Sequence, residues 1–182
     1  ADGTQDEIIL PEAPHCSARA LVATEDEVWV GLYTVPGRIM IVDKHSLTPR
    51  ALDLGEDNIL CTSGVFDGRC VWLGLDTMPA RVVRVEPSTH DVESFDLWPG
   101  SSCIRGMAFD GRYLWLGLYT EPGELVRFDP ETTEVQRHTM PAQFDNVRGL
   151  SLEDNTLWAV TQNVRYQPSG LYGIRVKGVG ER

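Results

Sequence analysis

The sequence predicts an all-β protein built from four copies of one short unit, and three observations support this. Four tryptophans recur at a constant spacing of 43 residues. Each unit contains four short runs rich in Val, Ile, Leu and aromatic residues. Turn signals such as Asp-Gly and Pro-Gly recur about every ten residues, so no run reaches the length of an average helix. The tryptophans, interpreted as core residues, are Trp29, Trp72, Trp115 and Trp158.

The segments around the tryptophans are alike. LWLGLYTEPGELVRFDPET of the third unit matches VWVGLYTVPGRIMIVDKHSLT of the first, and SGVFDGRC before Trp72 matches GMAFDGRY before Trp115. A fixed period of this length indicates a repeat architecture, in which each unit buries its apolar faces against its neighbours. We expect residues 1–182 to form one domain, with repeats at approximately 16–58, 59–101, 102–144 and 145–182 plus 6–11.

The third unit shows the elements of the repeat in order. CIRGMAF (103–109) predicts the first strand, YLWLGLY (113–119) the second, ELVRFD (124–129) the third and EVQRHTM (134–140) the fourth. A four-stranded antiparallel sheet of about 40–45 residues, repeated radially, is the blade of a β-propeller. The sequence therefore predicts a β-propeller of four four-stranded antiparallel blades.

The two ends of the chain are expected to share one blade. The fourth unit stops after its third strand, GLYGIRV (170–176), and the N-terminal stretch 6–19 aligns with 93–105. Glu7–Leu10 is therefore expected to be the outer strand of the last blade, which closes the ring and protects a sheet edge. A closed monomer is favoured because one chain supplies both parts of that blade. The alternative is a homodimer in which two chains form an eight-bladed ring.

The unit resembles known propeller repeats. FDGRYLWLGL, PGELVRFDPET and PGRIMIVDKHSLT are similar to repeats of streptogramin-lyase-like, NHL-like and two-component-regulator propellers. Those relatives usually carry more than four blades, although four blades close alone in hemopexin-like propellers. The resemblance implies the fold. It selects no activity, because such repeats serve lyases, sensors and scaffolds alike.

The net charge and the hydropathy of the chain indicate which classes of partner are not expected. The net charge is −11 and the pI is near 4.7. Such an acidic surface is typical of soluble proteins and repels nucleic-acid phosphates and anionic lipids, so neither nucleic acid nor membrane is expected as a partner. No apolar run approaches the roughly 18 residues of a membrane helix. The polar start ADGTQDE has no signal-peptide pattern, and both a cytoplasmic chain and a secreted or periplasmic chain after cleavage fit it.

One repeated position is predicted to line the mouth of the central channel. By analogy with other propellers, the loops before the first strands and after the second strands share the face that carries the site. At the start of the first strand the four units have Arg19, Thr62, Arg105 and Arg148. In a closed ring three guanidinium groups would converge and repel unless an anion, carboxylates or water separates them. Either Arg forks hold an anionic ligand, or each Arg pairs with a neighbouring blade and fastens the ring.

Residues that differ between the units beside the arginines are further candidates for ligand binding. They are Tyr33, Asp76, Tyr119 and Gln162, with Arg165 and Tyr166 in the longer loop of the fourth unit. No catalytic residue, metal ligand or cofactor is predicted, apart from an anion in the central channel.

Catalytic motifs are sparse. The sequence has no nucleophile elbow, phosphate loop or HExxH motif. The resemblance to streptogramin lyases implies a His base with acidic metal ligands near the axis, and this sequence does not match them. His45 and His90 are expected on the Arg face near the blade rim. The cysteines, which lack zinc-site spacing and permit either disulfides or free buried thiols, are Cys16, Cys61, Cys70 and Cys103.

The sequence favours a non-catalytic binding or interaction module for a small anionic ligand or an acidic segment of a protein partner. One alternative is a lyase- or hydrolase-type enzyme that uses the same face, either with a divalent metal or with a cysteine nucleophile whose pKa is lowered beside Arg. The cysteines expected near the Arg face are Cys16, Cys61 and Cys103. The other is a purely architectural subunit.

Overall fold

The computed structural model describes residues 7–10, 17–162 and 169–176. Over these ranges the chain forms fifteen β-strands and no helix. Consistent with this, no helix within them is long and apolar enough to cross a membrane.

Each repeat folds into one antiparallel sheet whose strands follow chain order. The first blade comprises β1 (Ala18–Ala23), β2 (Glu27–Leu32), β3 (Arg38–Asp43) and β4 (Pro49–Asp53). The second comprises β5 (Cys61–Phe66), β6 (Val71–Leu75), β7 (Arg81–Val85) and β8 (Val92–Asp96). The third comprises β9 (Ile104–Phe109), β10 (Leu114–Leu118), β11 (Glu124–Phe128) and β12 (Val135–Thr139). The fourth comprises β13 (Val147–Glu153), β14 (Thr156–Thr161) and β15 (Gly170–Arg175). The predicted all-β fold of four blades is confirmed.

The fourth blade departs from the expectation for its outer strand. Its sheet has three strands within the described ranges, in the order β13-β14-β15. Residues 7–10, expected to add the fourth strand, have no strand conformation, and the side chain of Ile9 is exposed. A strand exists only where its backbone pairs with a neighbour, so the described part of the chain does not show the ring closed by this segment.

The core lies between successive blades. We call the side of a blade that carries its repeated tryptophan the trailing face, and the opposite side the leading face. Trp29 packs in one buried cluster with Leu73 of the second blade, and Trp72 packs in another with Leu116 of the third. Trp115 packs in a third cluster with Leu157 of the fourth blade. The first three tryptophans are therefore core residues, as predicted.

The inner strands β1, β5, β9 and β13 lie side by side around the axis, each against the next in the chain. Glycines on the second strands permit this close approach. A Cβ added at Gly74 would lie 2.4 Å from Oγ of Ser63, and one at Gly117 would lie 2.3 Å from Cγ1 of Val147. The inner strands β13 and β1 do not pack against each other in this way. The described strands therefore leave the ring open between the fourth and first blades.

Candidate functional site

A continuous series of side-chain contacts runs along the start of the inner strands. The Cζ atom of Arg19 lies 4.5 Å from the centroid of the Tyr33 ring, and the Tyr33 hydroxyl donates to Oδ2 of Asp76 at 2.6 Å. Nη2 of Arg105 donates to the same carboxylate oxygen at 2.6 Å. The Cζ atoms of Arg105 and Arg148 lie 5.6 and 4.6 Å from the centroid of the Tyr119 ring. This channel-mouth band consists of Arg19, Tyr33, Asp76, Arg105, Tyr119 and Arg148.

The arginines reach the band because the inner strand is irregular at their position. In all four blades the register between the first and second strands shifts there, so the residue has no partner in the ladder. Bulges of this kind redirect a side chain and are frequent beside functional sites. The repeated position was predicted from sequence, whereas the bulge that directs it was not. The four bulged residues are Arg19, Thr62, Arg105 and Arg148.

Asp76 is the centre of the band. Its carboxylate is 12% exposed and accepts hydrogen bonds from Tyr33, from Arg105 and from the thiol of Cys103. Burial alone would raise the pKa of Asp76, but the hydrogen bonds from Cys103 and Tyr33 and the charge of Arg105 outweigh it, so this pKa lies below its ordinary value. Asp76 is therefore a structural anion, both oxygens of which accept hydrogen bonds from protein donors.

Several buried donors near the band have no hydrogen-bond partner within the described ranges. They include Nε of Arg105 and Nδ2 of Asn146, the residue that precedes β13. Neither Arg19 nor Arg148 forms an ion pair with another described residue; each contacts a tyrosine ring. A buried donor without a partner costs about 1–3 kcal/mol, so native proteins usually pair such groups with water or a ligand. Three threonines at one repeat position after the second strands also have buried hydroxyls without a hydrogen-bond partner among the described residues: Thr34, Thr77 and Thr120.

The local charge of the band opposes that of the whole chain. Three guanidinium groups surround one carboxylate, although the net charge of the protein is −11. The nearby loops of the same face also carry Glu56, Asp57 and Glu121, which are exposed and therefore screened by water and salt, and Asp145, which is half-buried. The formal charge is therefore positive only within the six residues of the band itself.

The remaining predicted site residues lie outside the band. Thr62 is buried, and its hydroxyl shares its hydrogen bond between the backbone carbonyls of Gly74 in its own blade and Ile104 in the next blade. Gln162 is exposed, and its backbone N–H donates to the carbonyl of Asn146. Arg165 and Tyr166 lie outside the described residues.

The thiols do not have the properties of nucleophiles. Burial raises the pKa of Cys103, and its hydrogen bond to Asp76 raises it further. Burial likewise raises the pKa of Cys61 to about 12 and that of Cys70 to about 11. These directions do not favour a thiolate stabilised by Arg at Cys61 or Cys103, and Cys103 instead donates to the carboxylate of Asp76. These three cysteines are free. Cys16 lies outside the described residues.

The expected position of His45 and His90 is also wrong. The corners between third and fourth strands lie at the end opposite the arginines, because the third strand runs parallel to the first. Accordingly, the N–H of Lys44 donates to the carbonyl of Asp26 in the turn between β1 and β2. Cys103 was expected near the arginines, whereas Asn146 was not predicted as a neighbour of the band. Both occupy a repeat position with positive φ, at 32° and 48°, and only its chemical variation between units could have indicated Asn146.

Solved structures with the same fold include designed and natural repeat proteins. The computationally designed Ika4 protein superimposes with a TM-score of 0.67 at 18% identity, over 94% of this chain and 99% of that one. The designed Ika8 protein gives 0.62 at 18% identity, over 86% of this chain and 45% of that one. The RRP9 WD40 repeats give 0.66 at 14% identity, over 81% of this chain and 46% of that one.

The likeness establishes a β-propeller fold. This chain spans about half the length of the Ika8 and RRP9 structures that it matches. No family model and no curated protein matches it. The resemblance to streptogramin-lyase-like, NHL-like and two-component-regulator propellers therefore stays a prediction.

Proposed function

We propose that this chain is a non-catalytic propeller binding module that holds an anionic group at the channel-mouth band. The observation that carries the proposal is the buried Nε of Arg105, which has no hydrogen-bond partner among the described residues. It lies beside Arg148, which forms no ion pair with a described carboxylate. Arg105 and Arg148 approach the same ring, that of Tyr119. An anion between them would receive donors from both groups and relieve the repulsion between their charges.

The donor set favours an oxyanion. A guanidinium group presents a planar fork of N–H donors that matches a carboxylate or phosphate oxygen pair. Asp76 already accepts from Nη2 of Arg105, which leaves Nε of that residue without an acceptor among the described residues. A small carboxylate or phosphate compound and an acidic segment of a protein partner share this chemistry.

Thermal unfolding in the presence of anions tests the proposal. Phosphate and citrate are compared with chloride at equal ionic strength, so that general screening cancels. At ten times Kd, mass action predicts a rise in Tm of about 3–5 °C for a domain of this size. A short glutamate peptide, tested in parallel, distinguishes a protein segment from a free small anion.

Two variants test whether the rise in Tm depends on the channel-mouth band. Arg148→Gln should abolish the rise in Tm, because it removes a guanidinium of the band without leaving a carboxylate unpaired. Arg127→Gln is the matched control, since Arg127 stacks on Tyr113 at 4.3 Å at the opposite end of the third blade. An equal rise in both variants, or no response of the unmodified protein to any anion, would contradict the proposal.

No specific observation favours an enzyme on the same face. Both oxygens of Asp76 accept hydrogen bonds from protein donors, and the pKa of the Cys103 thiol is raised rather than lowered. The architectural alternative predicts no response to anions, so the same experiment distinguishes it from binding.

A further inference from the structure

The trailing face of the fourth blade is exposed at positions that the other blades bury. Trp158 is 39% exposed, whereas its three equivalents are at most 8% exposed. Leu171 pairs with Val160 in the ladder, as Leu125 pairs with Gly117 in the third blade. Leu171 is 65% exposed and Leu125 is fully buried. The fourth blade therefore presents an interblade face with no blade packed on it.

The leading face of the first blade is open near the axis. Leu21 is 70% exposed, whereas Met107, at the same repeat position, is 8% exposed. Val28 and Val30 are half-buried, although the corresponding residues of the other three blades are fully buried. The outer part of this face, at Met40, is already buried. The open area is thus the part that an adjoining inner strand covers in the other blades.

The two open faces are complementary in side-chain size. At the internal boundaries a glycine of the second strand faces a larger residue at the start of the next inner strand: Gly31 faces Cys61, Gly74 faces Ile104 and Gly117 faces Val147. At the two open ends the sizes are reversed, with Val160 in β14 and Ala18 in β1. The summed volume is conserved by this exchange, as required where well-packed surfaces meet.

A single chain does not bring these faces together in the described structure. The inner strands β13 and β1 do not pack against each other, and Ala18 and Val160 are both exposed. Two copies related by a two-fold axis can satisfy both ends at once, because the contact forms twice and the ring closes. This chain also spans about half the length of the Ika8 and RRP9 propeller chains.

We propose that two copies of this chain join at their open ends into one eight-bladed ring. The trailing face of the fourth blade in each copy packs on the leading face of the first blade in the other. Arg148 of one copy then lies next to Arg19 of the other copy, so the channel-mouth band becomes continuous around the axis. The assembly rests on the apolar faces and does not depend on the proposed anion.

Light scattering after gel filtration tests the assembly. We expect a mass of about twice the 20.3 kDa chain at about 100 μM, a concentration at which most chains of even a micromolar dimer are paired. Leu171→Glu should reduce the mass to that of one chain. Met78→Glu is the control: Met78 is 74% exposed away from the open faces, and the third repeat already has Glu121 at that position. A single-chain mass for the unmodified protein, a larger assembly, or a dimeric Leu171→Glu variant would overturn the proposal.

A cysteine pair distinguishes two copies from a ring closed within one chain. At an internal boundary, a Cβ added at Gly31 lies 3.2 Å from Cβ of Cys61, so a small outward shift would give the Cβ separation of a disulfide, about 3.5–4.5 Å. The variant that combines Ala18→Cys with Val160→Cys should therefore oxidise to a covalent dimer, visible on a non-reducing gel. The two single variants are controls, and circular dichroism verifies that each folds. Oxidation to a single-chain band, or no cross-link in the folded double variant, would overturn the two-copy ring.

Discussion

Nη2 of Arg105 in the third blade lies 2.6 Å from Oδ2 of Asp76, which follows the second strand of the second blade. The same oxygen accepts the hydroxyl of Tyr33 from the first blade. One carboxylate therefore connects three blades at the channel mouth. The repeat does not supply this connection, because the equivalents of Asp76 are Tyr33, Tyr119 and Gln162.

Replacing Asp76 with asparagine should destabilise the protein strongly. Asp76→Asn removes the counter-charge of Arg105, whose side chain is only 15% exposed. Loss of one partner of a mostly buried pair should lower the free energy of unfolding by about 2–4 kcal/mol. Asp96→Asn is the control, because the side chain of Asp96 is 46% exposed and its pair with Arg81 should contribute about 0–1 kcal/mol. Urea denaturation at pH 7 measures both, and equal losses would contradict the central role of Asp76.

The contribution of Asp76 to stability should disappear in acid. Since the pKa of Asp76 is lower in the folded protein than in the unfolded chain, the stabilisation is fully present above the unfolded value of about 4. It is lost as the pH falls through the lower, folded-state pKa. The pKa of Asp96 is also lowered, by its hydrogen bond to Arg81, but that group is present in both proteins and cancels in the difference.

The measurement is the difference in unfolding free energy between the unmodified protein and Asp76→Asn, from pH 7 downwards. We expect the difference to be constant to about pH 5 and then to narrow. If the difference did not change with pH, the charge of the Asp76 carboxylate would not be the source of its contribution to the free energy of unfolding.

The fold could be predicted from the sequence because the same pattern of apolar runs occurs in four successive units. Trp72 recurs in all four units and Gly74 in three of them at the same spacing, so strand order and core could be predicted from one period. The centre of the site could not be predicted in the same way. It depends on a bulge at the position of Arg105 and on contacts between different blades. The bulge recurs in every blade but has no residue type in common, and the contacts of Asp76 occur only once, so the sequence pattern shows neither. The packing at the two ends of the ring could not be predicted either. The exchange of small and large residues at Ala18 and Val160 becomes visible only once the structure shows which residues face each other.

The close approach of the inner strands should make Gly117 intolerant of a side chain. In Gly117→Ala the new methyl group would meet Cγ1 of Val147 at 2.3 Å, so overpacking should lower the free energy of unfolding by about 1–3 kcal/mol. Adding Val147→Ala vacates that space, and the double variant should be more stable than the two single losses predict when added together. A double-mutant cycle measured by urea denaturation gives the coupling. Strict additivity would contradict direct contact between these positions.

The hydrogen bond from Cys103 to Asp76 should suppress the reactivity of this thiol. Only the thiolate is nucleophilic, and burial together with the adjacent carboxylate raises the pKa of Cys103. Alkylation by iodoacetamide at pH 8, followed by peptide mass spectrometry, should therefore be slower at Cys103 than in the unfolded protein. In Asp76→Asn the carboxylate charge is gone while Arg105 remains, so the pKa of the thiol should fall and alkylation should accelerate. Cys61 is the internal control: it is fully buried, its pKa is raised by burial alone, and its rate should not change in the variant unless the fold opens. An unchanged rate at Cys103, with Cys61 still protected, would show that Asp76 does not control the thiol.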